Sequence, residues 1–257
     1  LQYCYYVVTK GAYNVDGLVY PLENKSQITC AKPDDNRLPC APTLIFEGPD
    51  CAEYVSEEGC GTITYLHELS WQPDFSGSCD DELSGYRLYF NSEGDPEGTF
   101  TLVGNYSAIQ LQATLTNLPN YKGCYYLTAV DRSGNESPKS NVVCVDNCPN
   151  YLLPNAFTPN NDGLNDTFMA FDNPFSKCPR FVTQVEVFIV NRWGTEVFRY
   201  ASQNARENDP FIRWNGKDKA GNELPAGTYY YSGTVYFDVV DSTKQQQTLK
   251  GTIQLLR

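Results

Sequence analysis

One six-residue phrase is written twice in this chain: Cys4-Tyr5-Tyr6-Val7-Val8-Thr9 returns as Cys124-Tyr125-Tyr126-Leu127-Thr128-Ala129. Each copy leads through a loop into a second run that ends in cysteine, Ile28-Thr29-Cys30 and Val142-Val143-Cys144. A further cysteine, Cys40 or Cys148, then opens the next segment. Aromatic and β-branched residues dominate both runs, which is strand composition, and self-similarity at this spacing marks a repeated structural unit. The expectation is a chain that starts inside one repeat and continues through a complete second copy.

At 257 residues there is room for two domains of ordinary size and a fragment. Aromatics make up 14%, with 19 Tyr, while Met occurs once, so strands are expected almost throughout. The formal net charge of −12 leaves no basic stripe to track phosphates, which excludes nucleic acid as a partner. No apolar run reaches the roughly 20 residues of a bilayer span; the best, Val185 to Val190, is interrupted by Glu186. Leu1 to Thr9 alternate like a strand and lack the charged and apolar regions of a signal peptide, so the chain reads as a piece of something longer. Ten cysteines without any Cys-x-x-Cys pair point to disulfides and an oxidising, extracytoplasmic compartment.

In the complete copy Ile63, Tyr65, His67, Leu69 and Trp71 share one face of a strand ended by Gln72-Pro73, and Tyr86, Leu88 and Phe90 alternate on the next. Phe100 and Leu102, then Leu111, Ala113 and Leu115, supply two more. Leu118-Pro119 turns a corner before Tyr125, Leu127 and Ala129, and residues 131 to 137 form a hairpin into the last strand. Residues 38–147 thus resemble a fibronectin type III domain, seven short strands in a two-sheet sandwich, and residues 1–37 resemble the end of another. That sandwich implies the pairs Cys4–Cys30, Cys40–Cys79, Cys51–Cys60 and Cys124–Cys144, with Cys148–Cys178 stapling the linker to the last domain.

Residues 148–257 form that last domain. Its linker and first strand read Leu153-Pro154-Asn155-Ala156-Phe157-Thr158-Pro159-Asn160-Asn161-Asp162-Gly163-Leu164-Asn165-Asp166-Thr167-Phe168, where the prolines enforce extended backbone and Asn, Asp and Gly make a tight loop. Strands follow at Val182 to Val190, Glu196 to Tyr200, Thr228 to Val239 and Thr248 to Leu256. Phe188 and Val190 make the first of these apolar on both faces, which reads as a strand buried on both. Together with Phe188 to Phe198, Trp214 to Gly221 and Leu224 to Tyr231, the linker resembles the gliding-motility-associated C-terminal domain of Bacteroidota surface proteins. The resemblance implies a type B sorting signal, read by the type IX secretion translocon and held by a PorP/SprF-type outer-membrane β-barrel protein. It also implies attachment at the cell surface and a gliding or adhesion role. The fold class expected is all-β, tandem Ig-like or fibronectin type III-like sandwiches closed by a C-terminal Ig-like sandwich.

Asn160, Asp162, Asn165 and Asp166 place oxygens as a calcium loop does, with Gly163 at the bend, and also as plain Asx-turns do. Calcium is the only candidate cofactor. His67, the sole histidine, lies on the Trp71 face without a nucleophile motif and reads as a packed residue, so no catalytic residue is assigned. Tyr229 and Tyr231 alternate away from Tyr230, which puts half of that aromatic cluster in the core. Trp193, in the turn Asn191-Arg192-Trp193-Gly194, either packs over the sandwich end or meets a partner. The candidate partner surface is Arg192, Trp193 and Gly194 with Ile253, Leu255 and Leu256 of the terminal strand, open to strand addition. Asp241-Ser242-Thr243 resembles the O-glycan acceptor pattern of Bacteroidota surface proteins at Ser242. Two other classes fit the composition: accessory modules of a carbohydrate-active enzyme, and a subunit of an extracellular filament.

Overall fold

The computed structural model describes residues 2–12, 15–17, 21–31, 36–57, 64–76, 79, 82–171, 178–202 and 210–257. Among them are sixteen strands and one short helix. Near the start, β1 (Tyr3–Tyr5) pairs with β4 (Thr29–Ala31), and β2 (Val8–Gly11) with β3 (Leu22–Lys25). Cys4 lies opposite Cys30 in that ladder and bonds to it.

A sandwich follows. Its first sheet orders β5 (Thr43–Phe46), β6 (Tyr65–Gln72) and β9 (Gln112–Leu118). Its second orders β11 (Val143–Val145), β10 (Gly123–Asp131), β7 (Leu83–Asn91) and β8 (Thr101–Ser107). Alternation along β6 sends His67, Leu69 and Trp71 inward, where they meet Tyr86, Leu88, Tyr125, Leu127 and Ala129 of the facing sheet. Leu102 and Leu111 do not join this core. They lie exposed on and beside the edge strands β8 and β9, where no third layer covers them. Cys124 and Cys144 face each other across β10 and β11 and are bonded, as are Cys40 and Cys79.

The one helix, α1 (Cys51–Glu57), sits in the loop between β5 and β6. Asp50 caps it, its carboxylate accepting the Glu53 amide at 2.9 Å. Strand composition hid this turn, although Asp50 and Glu53 stand at capping-box spacing. The helix changes the disulfide map. It rolls the loop across the end of the sandwich, setting the Tyr54 ring 4.5 Å from that of Tyr121 and the Cα of Cys51 5.2 Å from that of Cys148. Cys51 therefore bonds to Cys148 rather than to Cys60, and Cys148 is not joined to Cys178. Cys178 is itself disulfide-bonded, and Cys60 lies outside the described residues. The linker is stapled back to the sandwich, not forward to the last domain.

The last domain is built on one five-stranded sheet, in the order β12 (Ala156–Phe157), β16 (Gln246–Leu255), β15 (Gly227–Phe237), β13 (Val182–Val190), β14 (Glu196–Ala201). One face carries Val185, Val187, Ile189, Tyr229, Val235, Ile253 and Leu255 into a core closed by Phe168, Ile212 and Trp214. The covering layer is tied by the antiparallel bridge Phe168–Trp214, whose two backbone hydrogen bonds measure 2.7 and 3.0 Å. The opposite face is not buried as the sequence pattern suggests. Phe188 and Val190 remain half-exposed there, and the Arg199 guanidinium covers the Phe188 ring at 5.4 Å. An arginine stem and head shield an apolar surface without a second protein layer.

Candidate recognition pole of the C-terminal domain

Strand direction decides which loops meet. β13 runs toward the 191–195 turn, β15 runs away from residues 224–227, and β16 and β12 run in parallel toward Arg257 and the 158–166 loop. All four arrive at the same end of the sheet. Arg257 confirms the convergence by pairing with Glu223 at 2.7 Å while its Nε donates to the Leu224 carbonyl at 3.1 Å. Gly216 packs against the same end. A Cβ there would stand 2.9 Å from Leu255 and 3.2 Å from Pro159, and its φ of 76° suits glycine.

The 191–195 turn is held from within. Asn191 Oδ1 accepts the amides of Trp193 and Thr195 at 2.9 and 3.0 Å, and Gly194 takes φ 80° to close it. Trp193 is left 77% exposed, with the Arg192 guanidinium 4.8 Å above its ring. Between this turn and residues 224–229 lies a shallow groove of about 230 Å³ lined by Trp193, Leu224, Pro225 and Tyr229. Leu164 and Leu256 add exposed apolar surface to the same pole, and Tyr230 adds it on the outer face just below. Beside it, Glu196 is hydrogen-bonded by Arg199 and Lys219, which hold its carboxyl down to about 2.

Ile253 and Leu255 belong elsewhere. Both are fully buried, because alternation along β16 turns them into the core, and β12 pairs with the strand's last residues. Neither can meet a partner. Of the terminal strand's three candidates only Leu256 is exposed.

The 158–166 loop binds itself. The Asp166 carboxylate accepts the amides of Asn161 and Gly163 at 2.6 and 2.8 Å, and Asp162 accepts the Leu164 amide and the Asn160 side chain, both at 2.8 Å. Those two bonds, Asn160 first, lower the Asp162 pKa. Asn161 and Asn165 sit at φ 63° and 52°, the left-handed region that Asn tolerates. The oxygens of Asn160 and Asp162 thus make Asx-turns, those of Asp166 reach back to close the loop, and among the described residues no group of three His, Cys, Asp or Glu side chains could hold a metal. Ser242 lies at the opposite end of the sheet, exposed in a turn where Asp241 Oδ1 accepts both the amide and the hydroxyl of Thr243.

His67 is fully buried, with Nδ1 2.7 Å from the Tyr125 hydroxyl and its ring 5.0 Å from Tyr121. Desolvation lowers its pKa from 6.5 to about 4, and a backbone hydrogen bond at Tyr121 only partly offsets this. Because the folded value is depressed, the unfolded chain takes up the proton first as pH falls. The contribution is whole above pH 6.5 and is lost between 6.5 and about 4. Denaturant titrations are expected to show His67→Gln losing about 3 kcal/mol less than the native chain across that window. Parallel pH profiles of the two proteins would refute the assignment.

The nearly all-β architecture and its disulfides define a class: a disulfide-bonded β-sandwich protein. Comparison with known families identifies the domain. Residues 151–255 match the CHU_C Type IX secretion signal domain, so this part of the chain carries the features of a type IX secretion signal. Such a signal domain implies recognition by the type IX machinery and delivery to the cell surface or extracellular space, and it is not a catalytic kind. No curated protein matches the chain. Solved structures similar to it include the chicken CNTN1 FN1–FN3 domains, at 11% identity over 85% of this chain and 67% of that one, with a TM-score of 0.33. A fibronectin type III domain of human fibronectin type III domain containing protein 3 aligns at 18% identity over 46% and 94%, TM-score 0.32. A β-1,2-glucanase from Parabacteroides distasonis aligns at 21% over 50% of this chain and 16% of that one, TM-score 0.29. No helix among the described residues is long and apolar enough to cross a membrane.

Proposed function

We propose that the pole carrying Arg192, Trp193, Gly194 and Leu256 is the surface by which the terminal domain is recognised during export and then held at the outer membrane by a PorP/SprF-type β-barrel protein. The observation that supports this reading is Trp193, 77% exposed on a turn that its own hydrogen bonds keep rigid. Trp and Arg are among the residues most enriched at the energetic centre of protein interfaces. In this reading residues 1–37 and 38–147 are fibronectin type III-like spacers, residues 148–257 are the sorting domain, and the whole belongs to a gliding or adhesion protein of the cell surface.

Surface display of a reporter fused to residues 38–257 tests it. Trp193→Ala removes an exposed side chain while Asn191 still closes the turn, so the thermal midpoint is expected to stay and display to fall about tenfold or more, as for a hot-spot residue. Unchanged display would place recognition on another face.

A further inference from the structure

The sandwich meets the last domain at the pole opposite Trp193, and the contact is specific. Phe181, just before β13, stands at φ 54°, a strained conformation for a bulky side chain. Two contacts hold it there: its carbonyl accepts the Asp238 amide at 2.7 Å, and its ring lies 5.7 Å from that of Tyr65. Tyr54, Tyr65 and Tyr121 form the socket around it, with the Arg180 guanidinium over Tyr54. Beside the socket, the Asp146 carboxylate accepts the amides of Val240 and Asp241 at 2.8 and 2.9 Å. Asn147 donates to the Asp238 carbonyl at 2.7 Å while its own oxygen holds the amides of Tyr121 and Lys122. Lys122 and Asp238 pair at 2.8 Å with most of both side chains out of solvent. The Cys51–Cys148 bond then ties the helix that supplies Tyr54 to the linker that supplies Asp146 and Asn147.

We propose that the sandwich and the terminal domain are a single rigid body, keyed by Phe181 and Asp146 and braced from the sandwich side by Cys51–Cys148, so that the unit exported and displayed is residues 38–257 rather than the signal domain alone. The aromatic socket, the Asp146 and Asn147 hydrogen bonds and the Lys122–Asp238 pair cross the junction, while the Cys51–Cys148 bond braces its sandwich side. The two thiols form that bond by exchange with an external disulfide, which takes up their two electrons and two protons and leaves as two thiols, and this step sets the stiffness of the stem that carries the Trp193 pole. The lock is a property of the fold; only its use in display rests on the function proposed above.

Backbone nitrogen-15 relaxation of the intact, oxidised chain tests the lock without any secretion assay. The expected result is one rotational correlation time shared by β7 and β10 on one side and β13 and β15 on the other. In Cys51→Ala/Cys148→Ala the two sets separate, and the Val240 and Asp241 amides exchange with solvent about tenfold faster, the loss expected for charge-assisted hydrogen bonds. Two correlation times in the native oxidised chain would overturn the proposal, and that outcome is readable even if the double variant does not fold. Equal exchange at Val240 and Asp241 in native and folded double-variant chains would overturn it too.

Discussion

Replacing Cys51 and Cys148 together by alanine lowers the unfolding free energy of the oxidised chain by about 4 to 5 kcal/mol, as chain entropy predicts for a loop near 100 residues. The bond spans 97 residues, against 20 for Cys124–Cys144 and 26 for Cys4–Cys30. Opening the Cys124–Cys144 bond instead costs about 3 kcal/mol by the same relation, because a short loop restrains the unfolded chain less. Guanidinium unfolding of both double variants under non-reducing conditions measures the difference. If the two losses are equal, or the short loop costs more, loop closure is not the source of the stability. The variant also frees the helix that carries Tyr54, so the larger loss includes packing at the socket.

The second large effect is at Trp214. Trp214→Ala is expected to destabilise the chain by about 4 kcal/mol, the range for removing a buried Trp or Phe side chain. The indole is fully buried and has ring neighbours on three elements, Phe157 at 5.2 Å, Tyr229 at 5.3 Å and Phe198 at 6.2 Å. Its Nε1 donates to the Lys217 carbonyl at 2.9 Å, which anchors the 215–223 loop under the recognition pole. Trp214→Phe keeps part of the ring volume but leaves that carbonyl without its donor, and is expected to lose about half as much. Thermal and denaturant midpoints of the two variants check the order. A tolerated alanine would mean that the covering layer is not what closes the core.

Trp193 and Trp214 show what pattern reading reaches. Both stand in motifs that the sequence offers, and composition treats them alike. Trp214 is core because the Phe168 bridge lays its segment across the sheet, while Trp193 is exposed because a four-residue turn has nowhere to tuck an indole. The same holds for the repeated phrase. Tyr5 is 66% exposed and Tyr125 is 0% exposed, since burial follows from the strands that face a residue and not from its own run. Alternation located β6, β7, β10, β13, β15 and β16 well, because each carries one face into a core. It failed on the second face of β13, where a single arginine does the covering, and on α1, which is shorter than the window in which a helical period shows.

By itself, then, the sequence determined a nearly all-β chain, a disulfide-bonded one, the positions of the main strands and the resemblance of its last part to a type IX signal domain, each carried by local alternation, cysteine content or contiguous motifs. Only the tertiary structure decided that Cys51 meets Cys148, that Ile253 and Leu255 are core while Leu256 is not, that the loop carboxylates bond to backbone amides, and that four separate motifs share one pole. Those depend on strand order and direction within the sheets, and on a helix that turns one loop across the end of a sandwich. They are set by contacts between residues distant in the chain, which no local spacing records.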